Sequence, residues 1–133
     1  MNHETLTDWL SRYGEAWVLR DAYKASLLFD ENAIYQETPF AEPMRGRDAI
    51  QRYWQDVPRT QRDIDFAFEI FSVDDNMGIV HFWASFTRIP TETQVRLDGI
   101  AVITLDSKKL CRSFHEWWHQ EETPADEPVD RNP

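Results

Sequence analysis

The sequence predicts a single α+β domain, with helices first and an antiparallel meander after. Three observations carry this. Apolar residues recur at three- and four-residue spacing between Leu6 and Trp54, and from Asp63 onward they alternate with polar ones. Turn-forming clusters such as Asp74-Asp75-Asn76 and Asp106-Ser107-Lys108-Lys109 separate the alternating runs. A chain of 133 residues fits one domain and can bury a core without a disulfide or metal staple.

Leu6, Trp9, Leu10, Tyr13, Ala16 and Trp17 form one face of an amphipathic first helix, and Thr5 with Asp8 resembles a capping signal at its start. Asp21 is placed to cap a second helix with Ala22, Ala25, Leu28 and Phe29 inward. Asp30-Glu31-Asn32 breaks that helix, and Ala33 to Glu37 reads as a short strand. Pro39 and Pro43 force an irregular turn. Gly46 precedes a third helix with Ala49, Ile50, Tyr53 and Trp54 on one face, ended by Pro58.

Ile64, Phe66, Phe68 and Ile70 then alternate with polar neighbours and mark a half-buried strand. Gly78 to Ile89, Val95 to Leu105 and Leu110 to Trp118 are three more. The domain is expected to end near residue 119. Residues 120–133 are acidic, with three prolines, and read as a loose or weakly docked tail. Leu97, Ala101 and Ile103 form one row of the third long strand, and Ile100, Val102 and Thr104 the other. A strand apolar on both sides needs cover on both, so a homodimer through the outer sheet face is expected.

Composition narrows the function. Twenty-four acidic against 14 basic residues give a net charge of −10, which repels a phosphate backbone and an anionic membrane surface. No apolar run approaches a membrane span, and the N-terminus does not read as a signal peptide. One cysteine, Cys111, allows no internal disulfide and reads as core, in keeping with a reducing cytoplasm. The spacing of His and acidic residues matches no metal site, and no cofactor is expected. The six Trp, eight Phe and four Tyr are many for this length. Such rings fill wide cores and line pockets for apolar ligands.

Several strings resemble the nuclear transport factor 2-like superfamily, especially its SnoaL-like branch: Leu28-Phe29-Asp30-Glu31-Asn32-Ala33, Glu37-Thr38-Pro39-Phe40, Arg45-Gly46-Arg47-Asp48-Ala49-Ile50, Leu97-Asp98-Gly99 and Glu116-Trp117-Trp118. The resemblance spans about residues 5 to 119. It implies a cone-shaped, curved antiparallel sheet packed against three N-terminal helices and enclosing an apolar pocket. That cone hosts isomerases, cyclases, dehydratases, epoxide hydrolases and non-catalytic binders, so the site must decide the function.

The ketosteroid isomerase site, an Asp base with a Tyr and a protonated Asp as donors, carries over unevenly. The tyrosine lands on Tyr13. The base lands on Glu37 in an ungapped alignment, or on Thr38 if the Pro-Phe pair is matched. The protonated Asp lands on Ala101, which has no donor. Limonene-epoxide-hydrolase-type proteins place a carboxylate at Glu116, but their Arg-x-Asp half is met only by Arg88.

The candidate acid–base residues are therefore Glu37, Glu116 and Tyr13, and the candidate ligand-contacting rings Trp17, Trp54, Phe114 and Trp118. Alternation places Phe114, Glu116 and Trp118 on one strand face, which would set a carboxyl between aromatic rings and raise its pKa. His81, His115 and His119 read as structural, and the Arg45-Gly46-Arg47 string as a glycine turn with a solvated arginine. Two readings stay open: a cofactor-free acid–base enzyme acting on a small apolar ligand, or a non-catalytic dimeric binding or interaction module.

Overall fold

Asn2, in extended backbone, accepts a hydrogen bond from the Thr5 amide at 2.8 Å and so starts α1 (His3–Val18). The cap expected at Thr5 is displaced because Asn2 already satisfies that amide. Leu6, Trp9, Leu10, Tyr13, Ala16 and Trp17 are all buried on the inner face. Asp21 caps α2 (Ala22–Ser26) through the Lys24 amide, as expected. The helix is shorter than the apolar spacing suggests. In the computed structural model, which describes residues 1–124, Phe29 already pairs with Cys111 across a sheet. Strand β1 (Phe29–Gln36) therefore contains Asp30-Glu31-Asn32 rather than following it.

A two-residue strand, β2 (Met44–Arg45), pairs with Ile34 and Tyr35 and was not anticipated. Gly46 precedes α3 (Arg47–Trp54) at φ 89°, in the region that favours glycine, and its amide donates to the Ala33 carbonyl at 2.8 Å. Arg45 is exposed, whereas the Arg47 guanidinium donates twice to the Phe29 carbonyl, at 2.9 and 2.7 Å, and ties α3 to β1. Pro58 sits in the first turn of α4 (Val57–Thr60), where a missing N–H costs no intrahelical bond.

The long strands are β3 (Gln61–Asp74), β4 (Met77–Arg88), β5 (Thr93–Leu105) and β6 (Cys111–Pro124). They form the expected meander. The sheet order is β2-β1-β6-β5-β4-β3, unclosed, and every pairing is antiparallel except β1 with β6, which run parallel. The purely antiparallel expectation is corrected at that one junction. Strand β6 also runs past residue 119: Gln120 to Pro124 pair with Leu97 to Thr93. Residues 120–124 thus belong to the sheet, and the rest of the expected tail lies outside the described residues.

Helices α1 and α3 cover the inner sheet face. The core is an aromatic stack: Phe114 lies parallel to Tyr35 (centroids 4.9 Å, 5°) and to Tyr13 (5.3 Å, 23°), and Tyr13 stacks in turn on Trp9. Cys111 is fully buried, and burial pushes its thiol pKa up. On the outer face Ile79, Trp83 and Trp117 stay substantially exposed. Between them the His81 ring nitrogens each lie 2.9 Å from a carboxylate, Glu69 on one side and Asp98 on the other. Those two hydrogen bonds raise the His81 pKa.

Candidate active site

Strand alternation on β6 sends Glu116 inward between Phe114 and Trp118, while Trp117 points out. Its pairing partner on β5 is Ala101, which offers no donor. Glu116 is only 8% exposed and faces an inner cavity of about 140 Å³. Among the described residues no donor hydrogen-bonds its carboxyl and no cation pairs with it. Burial, and then the charge of Glu37, raise its pKa well above the ordinary carboxylate value.

Glu37 follows the end of β1, on the strand parallel to β6, where Gln36 pairs with His115. Its backbone is held by the Trp118 indole, which donates to the Glu37 carbonyl at 2.7 Å. Gly99 makes room for that indole's strand. A Cβ there would lie 2.5 Å from the Trp117 carbonyl oxygen and 2.9 Å from the Trp118 Cα. The half-buried Glu37 lines the same cavity as Glu116.

Two tyrosine hydroxyls close the floor. Tyr13 and Tyr35 are both buried, with their oxygens 3.1 Å apart. One O–H satisfies the other oxygen, which leaves a second hydroxyl proton with no protein acceptor among the described residues. It is available to a ligand oxygen or to Glu116. Burial and the Glu116 charge push both phenol pKa values up, so both remain protonated donors at neutral pH. Tyr53 also lines the cavity, and its pKa is raised by burial and by Glu37. Gln61 and Arg88 lie opposite each other at paired positions of β3 and β4 and also border the cavity. Arg88 Nε donates to Glu122 at 3.2 Å, and the guanidinium lies 5.7 Å from the Phe86 ring centre.

Of the residues singled out in the sequence, Tyr13, Trp17, Glu37, Trp54, Glu116 and Trp118 line this cavity together. Phe114 does not. It is sandwiched between the Tyr13 and Tyr35 rings, one layer beneath the wall, because alternation fixes a side chain's face but not its depth. Tyr35 and Tyr53 were missed as site residues. Tyr35 could have been found from the two-residue spacing that puts Ala33, Tyr35 and Glu37 on one strand face. Arg96 and Asp98 serve the outer surface, where Arg96 pairs with Glu121 and Asp98 with His81. A larger open groove of about 730 Å³ crosses that face beside Trp83 and Arg96, but its ionisable groups are at the surface. Among the described residues, no group of three or more His, Cys, Asp or Glu is placed to hold a metal ion.

A curved, unclosed six-stranded sheet backed by helices, with a cavity inside the cone, defines the nuclear transport factor 2-like class. Within it the chain belongs to the SnoaL-like domain family, whose sequence model matches residues 10–113. Solved structures agree on the fold. The epoxide hydrolase/cyclase-like enzyme SalBIII, from pyran ring formation in the polyether salinomycin, is 19% identical with a TM-score of 0.77, over 89% of this chain and 93% of that one. A candidate isomerase from Bacillus subtilis is 25% identical with a TM-score of 0.79, over 90% of each chain. Delta 5-3-ketosteroid isomerase from Mycobacterium sp. is 13% identical with a TM-score of 0.76, over 90% of this chain and 98% of that one. No curated protein matches the chain. No helix among the described residues is long and apolar enough to cross a membrane.

Proposed function

We propose that this SnoaL-like domain is a cofactor-free acid–base enzyme acting on a compact apolar ligand. The reactions within its reach are isomerisation, cyclisation, dehydration and hydrolysis. One observation carries the reading: Glu116 is a buried carboxyl that faces a cavity and has no hydrogen-bond or ion-pair partner among the described residues. A structural glutamate would be paired, since a buried unpaired polar group costs stability. A carboxyl whose protonated form is favoured by burial and which faces a cavity is suited to donate to a ligand oxygen.

In the proposed cycle, Glu116 gives its proton to a carbonyl, hydroxyl or epoxide oxygen. Glu37 takes a proton from carbon or from an attacking hydroxyl. The two then exchange roles to reset. The free proton of the Tyr13–Tyr35 pair stabilises the oxygen as charge develops on it. Burial, and then the charge of Glu37, favour the protonated form of Glu116, which suits it to the acid role. Ala101, where ketosteroid isomerase would have a second donor, argues against steroid isomerisation. So does a cavity of about 140 Å³, close to the roughly 150 Å³ that takes one benzene ring.

The rival reading is a passive binding module. A panel of single-ring ketones, epoxides and allylic alcohols in deuterated water, followed by NMR, separates the two. Deuterium uptake beside the carbonyl, ring opening or loss of water, present with the native chain and absent in Glu116→Gln and Glu37→Gln, supports the enzyme. Binding of the same compounds without any of these changes supports the module. We also propose that a second copy covers the outer face around Ile79, Trp83 and Trp117.

A further inference from the structure

The cavity is chemically lopsided. One end carries two carboxyls, Glu37 and Glu116, and Arg88 is the one basic residue among those lining it. Register sets the two ends apart. On β5 the partner of Glu116 is Ala101 and the partner of Arg88 is Thr93, eight positions away. Arg88 continues the inward row of β4 after Phe82, Ala84 and Phe86. Its side chain is 32% exposed, so a ligand entering from solvent can reach it.

The Arg88 guanidinium is held but not saturated. Nε donates to Glu122 at 3.2 Å, and the guanidinium carbon lies 5.7 Å from the Phe86 ring centre. Glu122 is itself fixed by the Thr93 hydroxyl and by Gln120 Nε2. The two Nη groups, with their N–H bonds, have no acceptor among the described residues. Gln61 is paired with Arg88 across β3 and β4 and lines the same cavity. Its Oε1 accepts from Trp17 Nε1 at 2.8 Å. An indole N–H only donates, so that bond fixes the amide's orientation and leaves Nε2 as a further donor with no acceptor among the described residues. Arg20 adds positive charge to the same rim, where it donates to the Pro58 and Gln61 carbonyls at 3.4 Å. Donors without acceptors collect at one end of the cavity, and carboxyls at the other.

We propose that Arg88, with Gln61, anchors a terminal carboxylate, so that the ligand is a single apolar ring on a short chain ending in an acid. The planar edge formed by the two Nη groups matches the two oxygens of a carboxylate. Orientation follows from charge. The net charge of −10 and the Glu37 and Glu116 carboxyls oppose an anion deeper in the cavity, and the guanidinium favours it at the rim. The ring then points inward, where a volume of about 140 Å³ walled by Tyr13, Trp17 and Trp54 suits it. This rests on the small-molecule reading above, and adds the acidic end that holds the ligand in one direction.

The test uses two probes of one shape: phenylbutyrate, which ends in a carboxylate, and phenylbutanol, which ends in a neutral hydroxyl. Both are titrated at neutral pH into the native chain and into Arg88→Gln, and followed by the tryptophan indole and arginine Nε signals in proton–nitrogen correlation spectra. The native chain should bind phenylbutyrate about tenfold more tightly than phenylbutanol, the order expected of one charge-assisted hydrogen bond. Arg88→Gln should remove that preference and leave phenylbutanol unchanged. If Arg88→Gln fails to fold, Arg88→Lys decides: it keeps the charge but loses the fork, and should weaken phenylbutyrate alone. Equal binding of the two probes, or a preference that survives these substitutions, overturns the carboxylate anchor alone. No response of any cavity resonance to either probe, at millimolar concentration, overturns both the anchor and the small-molecule reading.

Discussion

Replacing Glu116 with Gln perturbs charge at this site while nearly conserving shape. In the folded chain the carboxyl is buried and unpaired, so its protonated form is favoured. The sign of the stability effect follows. An acid whose folded pKa is raised holds a proton that the unfolded chain has already released. Native stability therefore falls as pH climbs from the ordinary carboxylate pKa to the raised one, and is flat beyond it. Each pH unit of that window is worth about 1.4 kcal/mol. Glu116→Gln removes the slope: it should match the native chain below about pH 4 and be the more stable of the two above the window. At about 4 °C per kcal/mol for a domain this size, thermal melts across pH resolve the difference. Turnover of any substrate from the panel should fall by about 10²- to 10⁴-fold, the usual contribution of a positioned acid or base. A loss of roughly 3–5 kcal/mol at neutral pH would show that Glu116 is half of a buried ion pair and refute the argument. So would unchanged turnover.

Three further outcomes follow from the geometry. Glu37→Gln removes the like charge beside Glu116 and should lower the Glu116 pKa while leaving it above the ordinary value, because burial is the larger cause; carboxyl carbon NMR reads the shift. Gly99→Ala puts a Cβ against the Trp117 carbonyl and the Trp118 Cα, which are backbone and cannot swing away, so a denaturant melt should show a loss of about 1–3 kcal/mol or more. Trp117→Glu, on the exposed face, should leave the monomer fold intact but abolish self-association in sedimentation at micromolar concentration; a native chain that is already monomeric there overturns the dimer proposal.

The inner half of the fold was open to sequence reasoning because periodicity reports burial. The α1 stripe, the switch to alternation near residue 63 and the inward setting of Glu116 all rest on one face being apolar. What stayed hidden depends on partners far away in sequence. Asp30-Glu31-Asn32 looks like a break, yet it is a strand because Phe29 pairs with Cys111 across the sheet. Gln120 to Pro124 have no apolar face to betray a strand, and they pair with the start of β5, with Arg96–Glu121 and Arg88–Glu122 ion pairs alongside. Likewise Phe114 and Tyr35 lie on inward faces, but only their stacking shows which one meets the cavity.

The parallel junction between β1 and β6 has a bearing on how the site comes into being. Its bonds are among the most remote in the chain: Gln36 meets His115 across 79 positions, and the Glu37 carbonyl meets Trp118 across 81. The meander from β3 to β6 can close through neighbouring hairpins, whereas β1 docks only by closing a loop spanning most of the domain. A chain with the meander formed and β1 undocked would contain Glu116 but lack Glu37 beside it. Acid–base competence is thereby tied to a long-range hydrogen-bonded closure, and a partly folded chain has one carboxyl exposed to water and no pair to share a proton.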